Sequence, residues 1–447
     1  MAEISHKPIP RMQELPLIGS LLPFHSKRLE FFWELARDNA PLRAFRLGPI
    51  EAVFINSPQM LTSVLIDNAD DFTMGVIGDS LMPIIGPNSL LLLTGGKHRK
   101  QRKLAVPAFH HRRLASYVEP MVQFTQQQMQ EWGNGAELDV EHEMVRLTLR
   151  IVGKVLLNEE HLSVATNFGS AMYEGIQYAA YLSTALVPLP LSWPTLRNWR
   201  TRRALNTIHS MVDDFVQRRR RDAKDYGDLF SMFMFARDEN GEGLSDEELH
   251  DQVLTIVLGG HETSSTVLSW CVRLLMQNPE IYTRLRKEID EALQGRPFTW
   301  DDMPRLAYVQ QFIKETLRLY PPSYLLSRQA KTDVSLGDYL MREGTLVIFS
   351  PYVIHRNPEV FPDPERCDPE RFAPAKEKQM PRLSYIPFST GPHTCIGNNF
   401  ALLKMQAILI TLLQRFDFDV VPGHEGQPEA ALTIKPTGLR ARVRRRE

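Results

Sequence analysis

The chain has 447 residues, of which 43% are hydrophobic and 23% charged, and this balance excludes a disordered, collagen-like or fibrous protein. Its formal net charge of −1 provides no overall field that would attract nucleic acid or an anionic lipid surface. Three cysteines are too few for a disulfide framework and fit a reducing compartment. No apolar run approaches the roughly 18 residues that suggest a membrane span, so we expect a cytoplasmic protein.

The predicted elements begin with a helix at 26–39 and a hairpin within 42–55, where two strand-like runs flank a Gly-Pro turn. From about 97 to 290 the pattern is almost entirely helical, with a clear break at 187–194. Ser245 and Glu248 form the sequence signature of a capping box at the start of a long helix.

Strand patterns return at 334–354 and again at 432–443, with a Pro-rich irregular stretch between them. No Gly/Ser-rich linker divides the chain, so a single domain over residues 1–447 is predicted, mainly α with a small β region (α+β). The β-rich parts are expected at about 40–60, 330–355 and 430–443, and the helical parts at about 95–320 and 398–416.

The long helix, predicted over 246–276, is apolar on all sides, as expected for a helix in the core of a large protein. Its centre carries the run GGHETSS, whose two glycines, Gly259 and Gly260, cost about 2 kcal/mol of helix propensity relative to alanine. A buried helix tolerates this cost where its backbone must approach a bound group or is locally distorted. From these residues alone, a simple packing kink remains the alternative.

A second distinctive run, PFSTGPHTCIGNNFA, places Cys395 just before a predicted helix, whose positive end stabilises a thiolate. Glycines on either side, Gly391 and Gly397, leave the backbone free to bend around a flat group. Three interpretations stay open from these residues: a small buried cysteine, a nucleophile with His393 as its base, or the single thiolate ligand of a haem iron.

This run resembles the haem-binding signature of the cytochrome P-450 superfamily, and GGHET resembles the central-helix motif of the same superfamily. The matching positions of the signature are Phe388, Gly391, His393, Cys395 and Gly397. The resemblance implies haem b with Cys395 as its axial thiolate ligand. It also implies a triangular helical domain that holds the haem between the 246–276 helix and the 398–415 helix.

The same resemblance assigns roles to the long helix. Gly259 and Gly260 would lie beside the haem, and Glu262 and Thr263 would be the acid–alcohol pair that delivers protons during catalysis. The activity implied is insertion of one atom of dioxygen into a C–H bond, with electrons from separate redox partners.

A third match is the run KETLR, which contains Glu315 and Arg318. The apolar stripe of this helix lies on its other side, so the helical pattern alone predicts an exposed ion pair. The resemblance predicts instead a buried network with Arg371 that keeps the thiolate side of the haem rigid. We adopt the second prediction.

Seven Lys/Arg and no acid lie between 95 and 113, which by itself indicates a solvated basic face. His98 and Arg102 stand four residues apart on one helical face, and with Arg328 and His393 they resemble the contacts of the haem propionates. The remaining basic residues are predicted to dock an acidic electron donor, a ferredoxin or flavodoxin. They are Arg99, Lys100, Lys103, Arg112 and Arg113.

The segments that would contact the substrate are rich in Tyr, Leu, Met and Ile and carry almost no charge. They are 72–92, 173–193, 259–263, 323–326 and 432–433. We therefore expect an apolar substrate such as a fatty acid, terpenoid or steroid. Other interpretations are a peroxide-driven haem-thiolate peroxygenase or isomerase, and a non-catalytic haem-binding sensor.

Overall fold

The structure is a computed structural model, and it describes residues 6–37, 40–159, 167–185 and 188–446. Residues 38, 39 and 187, which fall within the predicted helix at 26–39 and the predicted break at 187–194, lie outside the described residues.

Helices form most of the described chain. They are α1 (Leu21–Ser26), α2 (Arg28–Ala36), α3 (Pro58–Thr62), α4 (Gly75–Asp79), α5 (Met82–Ile85), α6 (Gly95–Ala105), α7 (His111–Gln130), α8 (Val140–Leu157), α9 (Asn167–Thr184), α10 (Leu196–Asp222), α11 (Leu229–Phe235), α12 (Asp246–Gln277), α13 (Pro279–Leu293), α14 (Ala307–Leu319), α15 (Pro351–Ile354), α16 (Pro374–Glu377) and α17 (Asn398–Arg415).

The strands are short. They are β1 (Leu42–Leu47), β2 (Ile50–Ile55), β3 (Phe72–Thr73), β4 (Glu137–Asp139), β5 (Leu326–Ala330), β6 (Val334–Leu336), β7 (Tyr339–Met341), β8 (Leu346–Phe349), β9 (Phe416–Val420), β10 (Gln427–Ala430), β11 (Ile434–Thr437) and β12 (Arg440–Arg445). The largest sheet has the order β1-β2-β8-β5-β3. Only the β2–β8 pair of this sheet is parallel, and the predicted hairpin is its β1–β2 pair.

Two predicted elements differ from the structure. The helix expected at 26–39 is α2, which begins at Arg28, and a separate helix that was not predicted, α1, precedes it and ends at Ser26. The strand pattern at 334–354 ends at Phe349, and the following residues form the short helix α15. Pro351 at the first position of α15 and the side chain of Ser350, which caps it, favour a helix start over a continued strand.

The centre of the fold is α12, which runs unbroken through Gly259 and Gly260. Its start has the predicted capping box, because Glu248 N–H donates to Ser245 Oγ and Ser245 N–H donates to the Glu248 carboxylate. Around α12 pack α8, α10, α14 and α17, and apolar side chains from these helices form the largest buried cluster. This packing positions the middle of α12 deep inside the protein.

The segment Gly391–Arg415, which contains α17, is long and apolar enough to span a membrane by length and composition. However, 67% of its most apolar window is buried inside the protein. Burial of this extent is typical of a core helix, and α17 indeed packs against α7 and α12.

Candidate functional site

The turn before α17 holds Cys395 in a tightly defined backbone. The Cys395 N–H donates to the Phe388 carbonyl at 2.9 Å, and a single 3₁₀ turn at Gly391–His393 lies between them. Gly391 has φ +73°, and a Cβ at this position would stand 1.9 Å from the Leu65 carbonyl oxygen. Only glycine fits this close approach, which explains its place in the motif.

The side chain of Cys395 is exposed, although the surrounding chain is dense enough that burial raises the pKa of its thiol. A side chain with these two properties faces a space inside the protein. The Gly397 N–H and the Arg102 guanidinium act in the opposite direction and favour the thiolate. The sequence suggested that the positive end of the following helix would stabilise a Cys395 thiolate, but this effect alone is too weak. Ionisation of the thiol requires a positively charged group in contact with the sulfur.

The other two cysteines are different. Cys271 is fully buried in α12, and burial raises the pKa of its thiol to about 12. Cys367 is half-buried, and burial again raises the pKa of its thiol. Both are less exposed than Cys395, so the structure singles out Cys395 among the three.

The middle of α12 has a short exposed strip formed by Gly259 and Thr263, which we call the uncovered stripe. Gly259 is exposed and Thr263, one turn later, is partly exposed, whereas most other residues near them in the helix are buried. A Cβ at Gly259 would meet nothing within 4 Å, but one at Gly260 would lie 2.9 Å from Val152. Since protein interiors are close-packed, open space beside a core helix is a site for a bound group.

A buried lysine connects α17 to α12 next to Gly259. Lys404 of α17 donates to the Gly260 carbonyl of α12. Its side chain is fully buried, and burial lowers the pKa of Lys404 to about 7. No carboxylate pairs with it in the described part of the chain. Sequence reasoning missed this contact, although a lysine among the apolar residues of α17 was a visible signal.

Four basic side chains meet at one edge of the site. The rings of His98 and His393 stack with their centroids 4.0 Å apart, and Arg102 and Arg328 are close enough to influence both. Burial, with help from these guanidinium groups, lowers the pKa of His98 to about 4 and that of His393 to about 3. Both imidazoles are therefore neutral hydrogen-bonding groups at pH 7.

Arg328 is buried in β5, and its guanidinium donates to the Ser327 carbonyl at 2.7 Å. Burial lowers the pKa of Arg328 to about 10. Among the described residues no carboxylate forms an ion pair with Arg328 or with Arg102. A buried cation such as Arg328 is costly without a counter-charge, so Arg328 and the half-buried Arg102 fit an anionic ligand that the described residues do not supply.

Glu262 does not share the uncovered stripe of α12, because its side chain is buried on another face. Its carboxylate accepts a hydrogen bond from Thr433 Oγ1 at 3.0 Å and lies 3.1 Å from Lys435 Nζ. Lys435 also pairs with Glu141, at the start of α8, at 2.9 Å. Although burial alone would lower the pKa of Lys435, the two carboxylates hold it well above its ordinary value.

The Glu262–Lys435–Glu141 network extends from the core toward a less buried carboxylate. Sequence reasoning identified Glu262 but missed Lys435 and Glu141. These residues are 173 and 121 positions from Glu262 and form no local motif with it.

Glu315 and Arg318 are completely buried in α14, so the exposed pair predicted from the helical pattern is wrong. Two hydrogen bonds of 2.7 and 2.8 Å join them. The Asp368 N–H donates to Glu315 at 2.8 Å, and Arg371 Nε stands 3.6 Å from the same carboxylate. The polar face of α14 is covered by the segment Pro369–Phe372, which the helical pattern cannot reveal.

Three of the basic side chains of α6 form ion pairs with acidic side chains of the protein itself. Arg99 pairs with Asp70 at 2.7 Å, and Lys103 with Glu239 at 2.7 Å. Lys100 pairs with Asp238 at 2.6 Å. Of the other predicted docking residues, Arg113 donates to the Gly227 carbonyl at 2.9 Å, and the side chain of Arg112 lies outside the described part of the structure.

The fold and the site together define a class of protein. It is mainly helical, and its exposed cysteine, Cys395, faces an internal space beside the central helix α12. Buried cations without carboxylate partners among the described residues, Arg328 and Lys404, lie around the same site. The chain belongs to the cytochrome P450 family, whose sequence profile, described as "Cytochrome P450", matches residues 9–439.

Individual relatives match over nearly the whole chain. Cyclooctat-9-en-7-ol 5-monooxygenase of Streptomyces melanosporofaciens is 35% identical over 92% of this chain and 89% of its own length. Pentalenene oxygenase of Streptomyces avermitilis is 32% identical over 96% of this chain and 95% of its own length. Among solved structures, retinoic acid-bound cyanobacterial CYP120A1 superposes with a TM-score of 0.88, is 26% identical, and covers 99% of this chain and 100% of its own.

These comparisons confirm the predicted fold class and the predicted enzyme class. The protein is a cytochrome P450 monooxygenase with a haem cofactor held by a cysteine thiolate. Of the three interpretations left open for the cysteine turn, the family favours the haem ligand.

Proposed function

We propose that Cys395 is the cysteine that ligates the haem iron. The observation that carries this assignment is the exposure of its side chain to an internal space, which the buried Cys271 does not share. The Gly397 N–H contacts its sulfur and stabilises a ligating thiolate. Gly391 gives the turn the curvature it needs to approach a planar group.

His98, Arg102, Arg328 and His393 are the proposed partners of the haem propionates. Two propionates carry two negative charges, which match the guanidinium groups of the buried Arg328 and the half-buried Arg102, neither of which pairs with a carboxylate among the described residues. The two neutral imidazoles can add hydrogen bonds without adding charge.

The haem, when bound, supplies the reduction of dioxygen and the oxidation of the substrate C–H bond. The chain's own residues shape that chemistry. Gly259 leaves room beside the helix for a bound molecule, and the Thr263 hydroxyl, which donates to the Gly259 carbonyl at 2.8 Å, can hold a proton at the edge of the same space. The neighbouring Glu262 is buried on another face of α12, and Lys435 balances its negative charge.

Thr263→Ala is expected to leave haem binding intact and to reduce coupling, so that more of the consumed reducing equivalents appear as hydrogen peroxide. The reason is that the substitution removes the one hydroxyl of the Gly259–Thr263 stripe. The measurement is the ratio of hydroxylated product to NADH consumed, with peroxide quantified in parallel. Thr266→Ala is a matched control, because Thr266 is buried and donates to the Glu262 carbonyl instead. Unchanged coupling in Thr263→Ala would contradict the assigned role.

The proposed substrate is a cyclic terpenoid. The names of the two Streptomyces relatives describe oxygenation of cyclic alkene or alkenol skeletons. In this chain, Leu325, Leu326 and Leu432 are partly exposed within predicted substrate-contacting segments, which favours an apolar ligand.

Titration of the haem-loaded protein with cyclic terpenes, and with fatty acids of similar size as the control, tests this proposal. We expect a change in the spin state of the iron with terpenes and a hydroxylated product carrying an oxygen atom from dioxygen. A response to fatty acids alone would overturn the substrate class without affecting the enzyme class.

A ferredoxin or flavodoxin remains the proposed electron donor, and a cytoplasmic location and a single-domain organisation remain predictions. Because Lys100 and Lys103 pair with acids of the chain itself, a donor docking at α6 must compete with Asp238 and Glu239. Glu239→Gln should therefore raise the rate of reduction at low salt if the donor docks there. An unchanged rate at every salt concentration would place the docking surface elsewhere.

A further inference from the structure

A pair of histidines outside the haem site joins two helices. His209 belongs to α10 and His250 to α12. Nδ1 of His209 lies 3.2 Å from Nε2 of His250, and the two rings are nearly parallel, with centroids 5.1 Å apart. The pair is partly buried and lies beside α5, whose Pro83 carbonyl contacts His209.

The outer nitrogen of each ring has a partner that can only accept a hydrogen bond. Nε2 of His209 lies 3.0 Å from the Pro83 carbonyl oxygen, so this nitrogen must carry a hydrogen. Nδ1 of His250 lies 3.0 Å from Asp251 Oδ1. The other oxygen of Asp251 accepts from the Asn88 N–H at 2.8 Å, and a hydrogen on Nδ1 of His250 gives Oδ1 its donor in the same way.

A neutral imidazole carries one N–H, and in both rings the outer nitrogen already has it. If both rings were neutral, two lone pairs would face each other at 3.2 Å across the pair. A cation between the nitrogens removes this conflict. The described residues contain no group of three or more side chains arranged to hold a metal ion, which leaves a proton as the cation that fits.

We propose that His209 and His250 share one excess proton, and that the resulting hydrogen bond, which we call the latch, holds α10 against α12. The carboxylates that contact the pair are Asp213 on α10, 3.7 Å from His250 Nε2, and Asp251 on α12. Helix α5 and the loop after it contribute only uncharged groups, the Pro83 carbonyl from α5 and the Asn88 amide from the loop. The two carboxylates stabilise the single positive charge.

The latch also holds the loop after α5. Gly86 has φ +73°, and a Cβ there would stand 2.0 Å from Asp251 Oδ1, so the loop approaches this carboxylate as closely as only glycine allows. The backbone and side chain of Asn88 both donate to Asp251. Because the loop lies in the predicted substrate-contacting segment 72–92, the proton would control how firmly this part of the pocket wall is held.

The direction of the pH dependence follows from the count of protons. Loss of the shared proton at high pH leaves two facing lone pairs, and a second proton at low pH places two cations side by side. The hydrogen bond of the latch is therefore strongest when the pair holds one excess proton, and it weakens at both higher and lower pH.

Hydrogen–deuterium exchange of the haem-loaded protein tests this proposal between about pH 5 and pH 9, after correction for intrinsic exchange. Protection of residues 82–88 should pass through a maximum and fall by about tenfold on either side, the loss expected for one charge-assisted hydrogen bond. His209→Asn places a neutral amide donor where Nδ1 stands, and its protection should vary far less with pH.

Nitrogen-15 spectra of histidine in the unsubstituted protein provide a second readout that needs no variant. One imidazolium for the pair near the pH of maximal protection is expected. Two neutral rings at that pH, flat protection in the unsubstituted protein, or a stoichiometric metal lost in His250→Gln would each overturn the proposal. None of these readouts depends on the haem chemistry, so failure here is distinct from failure of the proposed function.

Discussion

Glu315→Gln is expected to lower the free energy of unfolding by about 3–5 kcal/mol, because it leaves the Arg318 guanidinium buried without its counter-charge. Burial raises the pKa of Glu315 and the Arg318 pair opposes this effect, so the carboxylate depends on that partner to stay ionised. The neutral amide can replace only part of the hydrogen bonding that Glu315 provides to Arg318 and to the Asp368 N–H. Denaturant unfolding followed by circular dichroism measures the change.

A matched control lies on the same helix. Lys314 of α14 pairs with Glu377 at 2.6 Å, but this pair is partly exposed. Glu377→Gln should cost less than about 1 kcal/mol, as usual for surface ion pairs. Equal effects of the two substitutions would contradict the structural importance of the buried network.

Lys404→Met is expected to act in the opposite direction and to raise the free energy of unfolding at pH 7 by about 1–4 kcal/mol. Burial lowers the pKa of Lys404 from 10.5 to about 7, so between these two values the unfolded chain binds more protons than the folded one. Stability from this group therefore rises with pH from about 7 to 10.5 and is lowest below about 7. Methionine should remove that pH dependence.

Lys435→Met provides the contrast, since Lys435 neutralises two carboxylates, Glu262 and Glu141. Its loss leaves the buried Glu262 charge unpaired and should destabilise the fold by about 3–5 kcal/mol. A loss of stability in Lys404→Met comparable to that in Lys435→Met would show that the bond from Lys404 to the Gly260 carbonyl outweighs the cost of burying the ammonium.

The capped helix α12 and the hairpin could be predicted from the sequence because their signals are local. The capping box of Ser245 and Glu248 and the strand pairing of β1 with β2 each depend on residues close together in the chain. The cysteine turn was recognisable for the same reason, since its residues follow one another at fixed spacings.

Other features could not be read from local patterns. The burial of Glu315 depends on a distant segment that covers the polar face of α14, and only the family resemblance predicted it. The partners of Glu262 and the histidine pair come from elements far apart in the chain. The basic run of α6 looked like an open positive face because the acids that pair with it lie more than a hundred residues later, at Asp238 and Glu239.

The central claim, that Cys395 ligates the haem iron, is tested most directly by the absorption spectrum of the reduced, carbon monoxide-bound protein. The unsubstituted protein and Cys367→Ser should both show the red-shifted Soret band of a thiolate-ligated haem, and Cys395→Ser should lose it. Retention of that band in Cys395→Ser, or its loss in Cys367→Ser alone, would contradict the assignment.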